Sequence, residues 1–335
     1  MKKTVHTIAE QLGLAPSTIS KILNNTGNFS QATRDKVLKY TQEIGYVPAV
    51  SARVLKSNKS WSIGVVYTEE SSVGLEHPFF VSVLQHFKAY IEKSGYELSF
   101  IVKRLGQHEM SYLGWCKNKK IDGVFLVVGS HNNPGIVELI ESDIPCVSTD
   151  IFHEQLPIVL SDNERGVELS LNYALSQGAN QLGYITGPTT SRSFRNRLLK
   201  FKSLLEEKQF PEEQVNIIAA KGFGYDSGKV AGMALLDQCP NPPDFVIVGS
   251  DILAFGAIRA FQEAGFRIPK DIRVSGFDDV SFASMFNPAL TTIQQNTAEI
   301  GETAAKVLID LINNPRPKQQ DIYKVPVKLI VRESA

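Results

Sequence analysis

The sequence predicts a small all-α head followed by an α/β body of two doubly wound lobes, and three observations carry that reading. Apolar residues at helical spacing, punctuated by glycine and proline, organise residues 1–47. From Ser62 onward short apolar runs alternate with amphipathic stretches, which implies βαβ units around parallel sheets. That alternation restarts near residue 160, so the body holds two similar halves.

In the head, Ile8, Ala9 and Leu12 fall at i, i+1 and i+4, one apolar face of a helix. Gly13 tolerates positive φ and turns the chain. A second short helix opens near Pro16 and carries Ile19, Ile22 and Leu23 on its buried side. Ala9 is small where the two helices cross. Ser17, Thr18, Lys21 and Asn24 face outward: short hydrogen-bonding side chains and a cation, as base edges and phosphates require. The pair reads as a helix-turn-helix, with an ordinary αα-hairpin as the alternative. A third helix is expected over Thr33 to Ile44, ended by Gly45. Tyr46-Val47-Pro48 then breaks the chain, and Ser51 to Lys56 offers a further short helix.

Charge supports this division. The 335 residues are formally neutral, but residues 1–60 hold nine Lys and Arg against three acids, an excess of six balanced by a deficit of six in the remainder. A basic head on an acidic body is the footprint of a nucleic-acid-binding module joined to something else. No N-terminal apolar run resembles a signal peptide and no apolar run is long enough to span a membrane, so the expected compartment is the cytoplasm, at the nucleoid. Cys116, Cys146 and Cys239 are far apart and odd in number, as buried reduced thiols would be. The six histidines show no metal-ligand spacing, so neither metal nor cofactor is expected.

Beyond the polar linker Asn58-Lys59-Ser60, strands are expected at Ile63–Tyr67, Leu98–Val102, Gly123–Val128 and Pro145–Thr149. Helices at Phe79–Lys93, His108–Lys117 and Pro134–Glu141 alternate with them. After Ile158-Val159-Leu160 the second half places helices at Glu164–Gln177, Arg195–Lys208, Ser227–Asp237 and Ile252–Glu263. Strands at Leu182–Thr186, Val215–Ala219, Phe245–Val248 and Arg273–Gly276 alternate with these. Two Rossmann-like lobes of this kind leave a cleft at the carboxyl ends of their strands. Helix Thr297–Asn313 and two strands, near Ile322–Pro326 and Val327–Arg332, close the chain.

Thr4, Ile8-Ala9, Gly13, Thr18-Ile19-Ser20, Leu23-Asn24, Ser30, Thr33-Arg34, Gly45-Tyr46, Pro48 and Ala52-Arg53-Val54-Leu55 together resemble the lactose-repressor (LacI/GalR) family of bacterial transcription regulators. Two positions depart from the family pattern. Ala15 replaces a serine N-cap, a capping bond worth ~1 kcal/mol, and Ala49 replaces an asparagine after Pro48. The resemblance implies a helix-turn-helix head over 1–47 and a hinge helix and linker over 48–60. It also implies a periplasmic-binding-protein-like body whose chain crosses back between lobes. The first lobe then comprises 61–160 and 291–320, the second 161–290 and 321–335.

For the head, the resemblance and the exposed face of the second helix together nominate Thr4, Ser17, Thr18, Lys21, Asn24, Ser30 and Thr33 as DNA-binding residues, and Leu55 matches the family's leucine wedge. The expected partners are double-stranded operator DNA, a second copy of the chain and a small-molecule effector.

For the cleft, the resemblance places Phe79, Asp150, Arg197, Phe223, Asp278 and Gln295 at the effector, with Ser250 beside Asp278 and Ser191 and Ser193 in the loop before Arg197. Asp251 and Asp279 read as caps or structural acids. Gly222 to Gly228 superficially suggests a dinucleotide loop, but its glycine spacing is wrong. An arginine fork and two carboxylates between aromatic walls suit a sugar or sugar derivative better than a purine. A free sugar-binding protein would fit the body alone and leave the basic head unexplained. An enzyme would need a nucleophile with its base, a phosphate loop or a metal cluster, and the sequence offers no catalytic residue.

Overall fold

The computed structural model describes residues 3–23, 26–46, 59–67, 75, 77–129, 132–239 and 241–335. Asn24, Leu55 and the expected hinge helix lie outside them. The head, up to Trp61, and the body from Ser62 form two separate compact units.

The head is three helices, α1 (Val5–Leu12), α2 (Pro16–Leu23) and α3 (Gln31–Glu43). Thr4 starts α1 with a capping box: its hydroxyl accepts from the Thr7 amide while the Thr7 hydroxyl accepts from the Thr4 amide. Gly13 ends α1 at φ 67°, the left-handed conformation that a Cβ disfavours. Ala15 contributes its carbonyl to α2, accepting from the amides of Thr18 and Ile19. Ser30 caps α3 by accepting from the Thr33 amide, so that helix begins two residues before the expected start. Ile8, Ala9, Ile19, Ile22 and Val37 close a small buried core, and Leu12, Leu23 and Tyr40 pack at its edge.

Two six-stranded sheets build the body. The first has the order β13-β7-β6-β5-β1-β2, with β1 at Ser62–Tyr67, β2 at Glu97–Phe100, β5 at Gly123–Val128, β6 at Cys146–Ser148, β7 at Ile158–Ser161 and β13 at Ile322–Val325. All its pairings are parallel. The second has the order β14-β12-β11-β10-β8-β9, with β8 at Leu182–Thr186, β9 at Val215–Ala219, β10 at Phe245–Val248, β11 at Arg273–Asp278, β12 at Thr291–Gln295 and β14 at Val327–Ile330. Only β14 runs antiparallel, against β12. β5 and β10 are buried along their whole length, as central strands covered on both faces must be.

Three chain crossings join the lobes, and they correct the expected boundaries. Residues 291–295, expected in the first lobe, form β12 of the second sheet, paired with β11. The crossing comes after Gln295. Helix Thr297–Asn313 then packs on helix Pro78–Lys93 of the first lobe, where a Cβ on Gly301 would lie 2.5 Å from the Val83 carbonyl. Residues 322–325, expected in the second lobe, are β13 of the first sheet, paired with β7. The chain returns at Pro326, and β14 lies in the second lobe as expected. Two strands separated by one proline carry no local mark of which sheet each joins.

The helix expected over 108–117 is also corrected. Gly106, at φ 62°, turns a small hairpin of β3 (Arg104–Leu105) and β4 (His108–Glu109). The helix starts only at Tyr112, after Ser111 caps it by accepting from the Gly114 amide, and ends at Asn118.

In the second lobe, helices Tyr225–Gln238 and Asp251–Glu263 touch backbone to backbone through glycines. A Cβ on Gly256 would sit 2.0 Å from the Tyr225 carbonyl oxygen, and one on Gly228 would sit 2.2 Å from that of Leu253. Neither neighbour is a side-chain tip that can swing away. Gly256→Ala is therefore expected to lower stability by about 1–3 kcal/mol, read as a lower urea midpoint with an unchanged slope. An unchanged midpoint would show that the helix pair relaxes freely.

Candidate ligand cavity and recognition helix

A cavity of about 320 Å³ lies where the carboxyl ends of the two sheets face one another, within the size range of small-molecule sites. The nine residues nominated for the cleft all line it. Phe79 comes from the first turn of helix Pro78–Lys93, and Asp150 from the turn after β6. Ser191 is the N-cap of helix Arg192–Glu207, with Ser193 and Arg197 in its first two turns. That helix begins three residues before its expected start, so the serines stand on a helix end instead of a loose loop. Phe223 precedes helix Tyr225–Gln238, and Ser250 caps helix Asp251–Glu263 by accepting from the Leu253 amide. Asp278 ends β11 and Gln295 ends β12.

Arg197 is 5% exposed. Its Nε donates to Asn163 Oδ1 at 2.7 Å, its Nη1 donates to the Gly249 carbonyl at 2.6 Å, and its guanidinium lies 3.5 Å from the centre of the Phe277 ring. Burial draws its pKa down, while Asp278, Tyr184, Asp150 and Asp251 pull it back up. The guanidinium is thus oriented on three sides before any ligand arrives, as preorganised recognition requires.

The carboxylates are fixed by amide donors and by the backbone. Gln295 Nε2 donates to Asp278 Oδ1 at 2.5 Å, and Asp278 and Asp279 both have positive φ, 130° and 55°. Strained backbone of this kind persists only where its surroundings enforce it. Asp279 is the structural acid expected, bound by Arg332 at 2.6 Å and Gln294 at 2.7 Å. Across the cleft, burial pushes the Asp150 carboxyl up to about 6 against the opposing pull of Arg197 and the Ser193 hydroxyl. Ser193 Oγ stands 3.5 Å from Asp150 Oδ1, a weak contact that spans the two lobes.

The cavity lining also includes five polar residues beyond the nine, His77, Thr149, Ser161, Asn163 and Thr190, and two of these bear on Arg197. Asn163 stands just before the expected helix start at Glu164, and its role as anchor of Arg197 depends on a contact 34 positions away. His77 preceded a proline and two phenylalanines and was passed over. It is buried on the cavity wall beside Phe80, and burial and Arg197 together lower its pKa to about 4, which keeps the imidazole neutral.

In the head, Ser17 and Lys21 lie one turn apart on the exposed side of α2, and Thr18 is partly exposed next to them. Thr4, Ser30 and Thr33 already serve the helix starts, with the Ser30 and Thr33 hydroxyls 2.7 Å apart. Among the described residues no helix is long and apolar enough to cross a membrane, and no group of three His, Cys, Asp or Glu could hold a metal. The three cysteines are free and buried.

The chain matches two family descriptions: bacterial regulatory proteins of the lacI family over residues 4–49, and a periplasmic binding protein-like domain over residues 171–335. It is 30% identical to the ribose operon repressor of Haemophilus influenzae, over 99% of this chain and 98% of that protein. It is also 30% identical to the HTH-type transcriptional repressor PurR of Escherichia coli, over 99% and 96%. Among solved structures, the transcriptional regulator CelR–cellobiose complex superposes with a TM-score of 0.72 at 26% identity, covering all of both chains. A lacI-family regulator from Enterococcus faecium with bound ribose gives a TM-score of 0.70 at 26% identity, over 82% of this chain and 98% of that one. With end-to-end relatives at this level, the chain belongs to the lacI family of bacterial regulatory proteins and is a DNA-binding transcription regulator.

Proposed function

We propose that this regulator is a repressor that binds a pseudo-palindromic operator as a homodimer and releases or tightens it when a neutral sugar or sugar derivative fills the cavity. The observation that carries the reading is the cavity's polar set: one oriented guanidinium, carboxylates on both lobes, and aromatic walls at Phe79 and Phe223. Carboxylates accept from paired hydroxyls, an arginine donates to ring or hydroxyl oxygens, and an aromatic face covers the apolar side of a sugar ring. The relatives named for a ribose operon and the neighbours holding ribose or cellobiose support the same ligand class. The protein acts by binding alone, without catalysis, in the cytoplasm at the nucleoid.

Ser17, Thr18 and Lys21 read base edges in the major groove, while Thr4, Asn24, Ser30 and Thr33 position the phosphates and Leu55 wedges a central base step. One short helix reads few bases, so a second copy supplies the rest of the affinity through a two-fold-related half-site.

Two outcomes are expected. Lys21→Ala should weaken operator binding by ~1–3 kcal/mol and relax preference at one position per half-site. A loss uniform across sequences would instead make Lys21 a phosphate contact. Arg197→Ala and Asp278→Ala should each abolish calorimetric binding of whichever of ribose or cellobiose the native chain takes, with operator binding retained. Unaltered sugar binding in either variant would misplace the site.

A further inference from the structure

At the second-lobe wall of the cavity, two buried carboxylates lie near one another, and among the described residues neither has an ion pair. Asp251 is wholly buried at the first residue of helix Asp251–Glu263. Thr292 Oγ1 donates to its Oδ1 at 2.5 Å and the Val280 amide donates to its Oδ2 at 2.9 Å. It packs so closely on β11 that a Cβ on Gly276 would lie 2.3 Å from Asp251 Oδ1. Asp278 follows two residues after Gly276, is 5% exposed, and faces the Asp251 backbone amide.

The charges around the pair do not neutralise it. Arg197 has committed Nε and Nη1 to Asn163 and Gly249, and no ion pair joins it to either carboxylate among the described residues. Arg332 is bound to Asp279, which is itself another acid. Asp150 adds a further acid across the cavity. His77 is kept neutral, and burial keeps the Tyr184 phenol protonated, so neither supplies positive charge. Two like charges in a low-dielectric wall with one shared, already bonded guanidinium cannot both persist at little cost.

We propose that Asp251 and Asp278 together hold one proton in the cavity wall, so that this pair is a proton site linked to ligand occupancy and to pH. Burial pushes both carboxyls well above their ordinary range. Repulsion from Asp278 adds to this at Asp251, and Arg197 only partly offsets it at Asp278. The sign follows from the raised values. The pair's contribution to stability is full below the ordinary carboxylate range and is lost as pH rises through the raised native values.

The consequence for regulation rests on the sugar reading above. A ligand hydroxyl donating to Asp278 favours the ionised form, so the shared proton passes to solvent as the ligand enters. Ligand binding then tightens with rising pH, by up to about tenfold per pH unit below the pair's upper midpoint. Asp251, which does not line the cavity, is a positioning residue for this effect.

The test needs no ligand, so it fails or succeeds independently of that reading. The full chain carrying ¹³C at the aspartate carboxyls is titrated by NMR. The expected result is an aspartate that titrates above about pH 5.5, survives in Asp150→Asn, and is assigned to the pair by its loss or shift in Asp278→Asn. In Asp251→Asn, an isosteric change that keeps an acceptor for the Val280 amide, the upper of the pair's two titration steps should be lost, leaving Asp278 at the value that its own burial sets. Should Asp251→Asn not fold, Asp278→Asn reads the same coupling from the other partner, through a fall at Asp251. The proposal is overturned if no aspartate other than Asp150 titrates above about pH 5.5, or if each member titrates unchanged when the other is amidated.

Discussion

The body is organised around one buried cation. A guanidinium taken out of water is tolerated only where hydrogen bonds and counter-charges replace its hydration. Around Arg197 those replacements come from scattered parts of the chain: Asn163 at the start of a helix, the Gly249 carbonyl at the end of β10 and the Phe277 ring on β11, with Asp278, Asp150 and Asp251 near it but joined to it by no ion pair among the described residues. The arginine thereby ties the sheet edge, two helix starts and the cleft into one arrangement. The same geometry leaves the cavity with fixed donors and with carboxylates that burial keeps reluctant to ionise. A ligand bringing its own hydroxyl donors relieves that reluctance, which an apolar one cannot do.

A second constraint is the triple crossing between lobes. After β7, after β12 and at Pro326 the chain passes from one sheet to the other, so each lobe is completed by segments remote in sequence. Hinge closure of two lobes is absorbed by a few loop or element-terminal residues, and these three connections are where such residues would lie. A ligand bridging Asp150 on one lobe and Arg197 and Asp278 on the other has differential contacts in open and closed arrangements, which a population shift requires.

Much of this was legible in the residues. The head was readable because glycine and aliphatic spacing are local properties, and Gly13 ends its helix as its type suggests, while the caps formed by Thr4 and Ser30 show only in the structure. The parallel sheets were readable because strands covered on both faces are continuous apolar runs, as in Gly123–Val128 and Phe245–Val248. The lobe assignment of 291–295 and 322–325 was misread because strand pairing is a long-range choice with no local signature. The helix expected from His108 was started four residues early because two-residue strands such as His108–Glu109 are too short to leave a period-2 pattern. The cavity residues were nominated from a family resemblance, save Ser191 and Ser193, which came from their place in a loop after a strand. Asn163 and His77 escaped because their significance lies in what they touch across the fold.

The central claim is that cavity and operator are two sites on one equilibrium, and the most direct measurement is operator affinity at saturating ligand. A labelled duplex, selected from random DNA by the purified full chain, is titrated by fluorescence anisotropy with and without a sugar shown by calorimetry to bind. The expected result is a shift in operator Kd of roughly 5–150-fold, the usual span of allosteric coupling, with a reciprocal shift in sugar affinity when operator is bound. A sugar that saturates the cavity and leaves operator affinity unchanged would contradict the account.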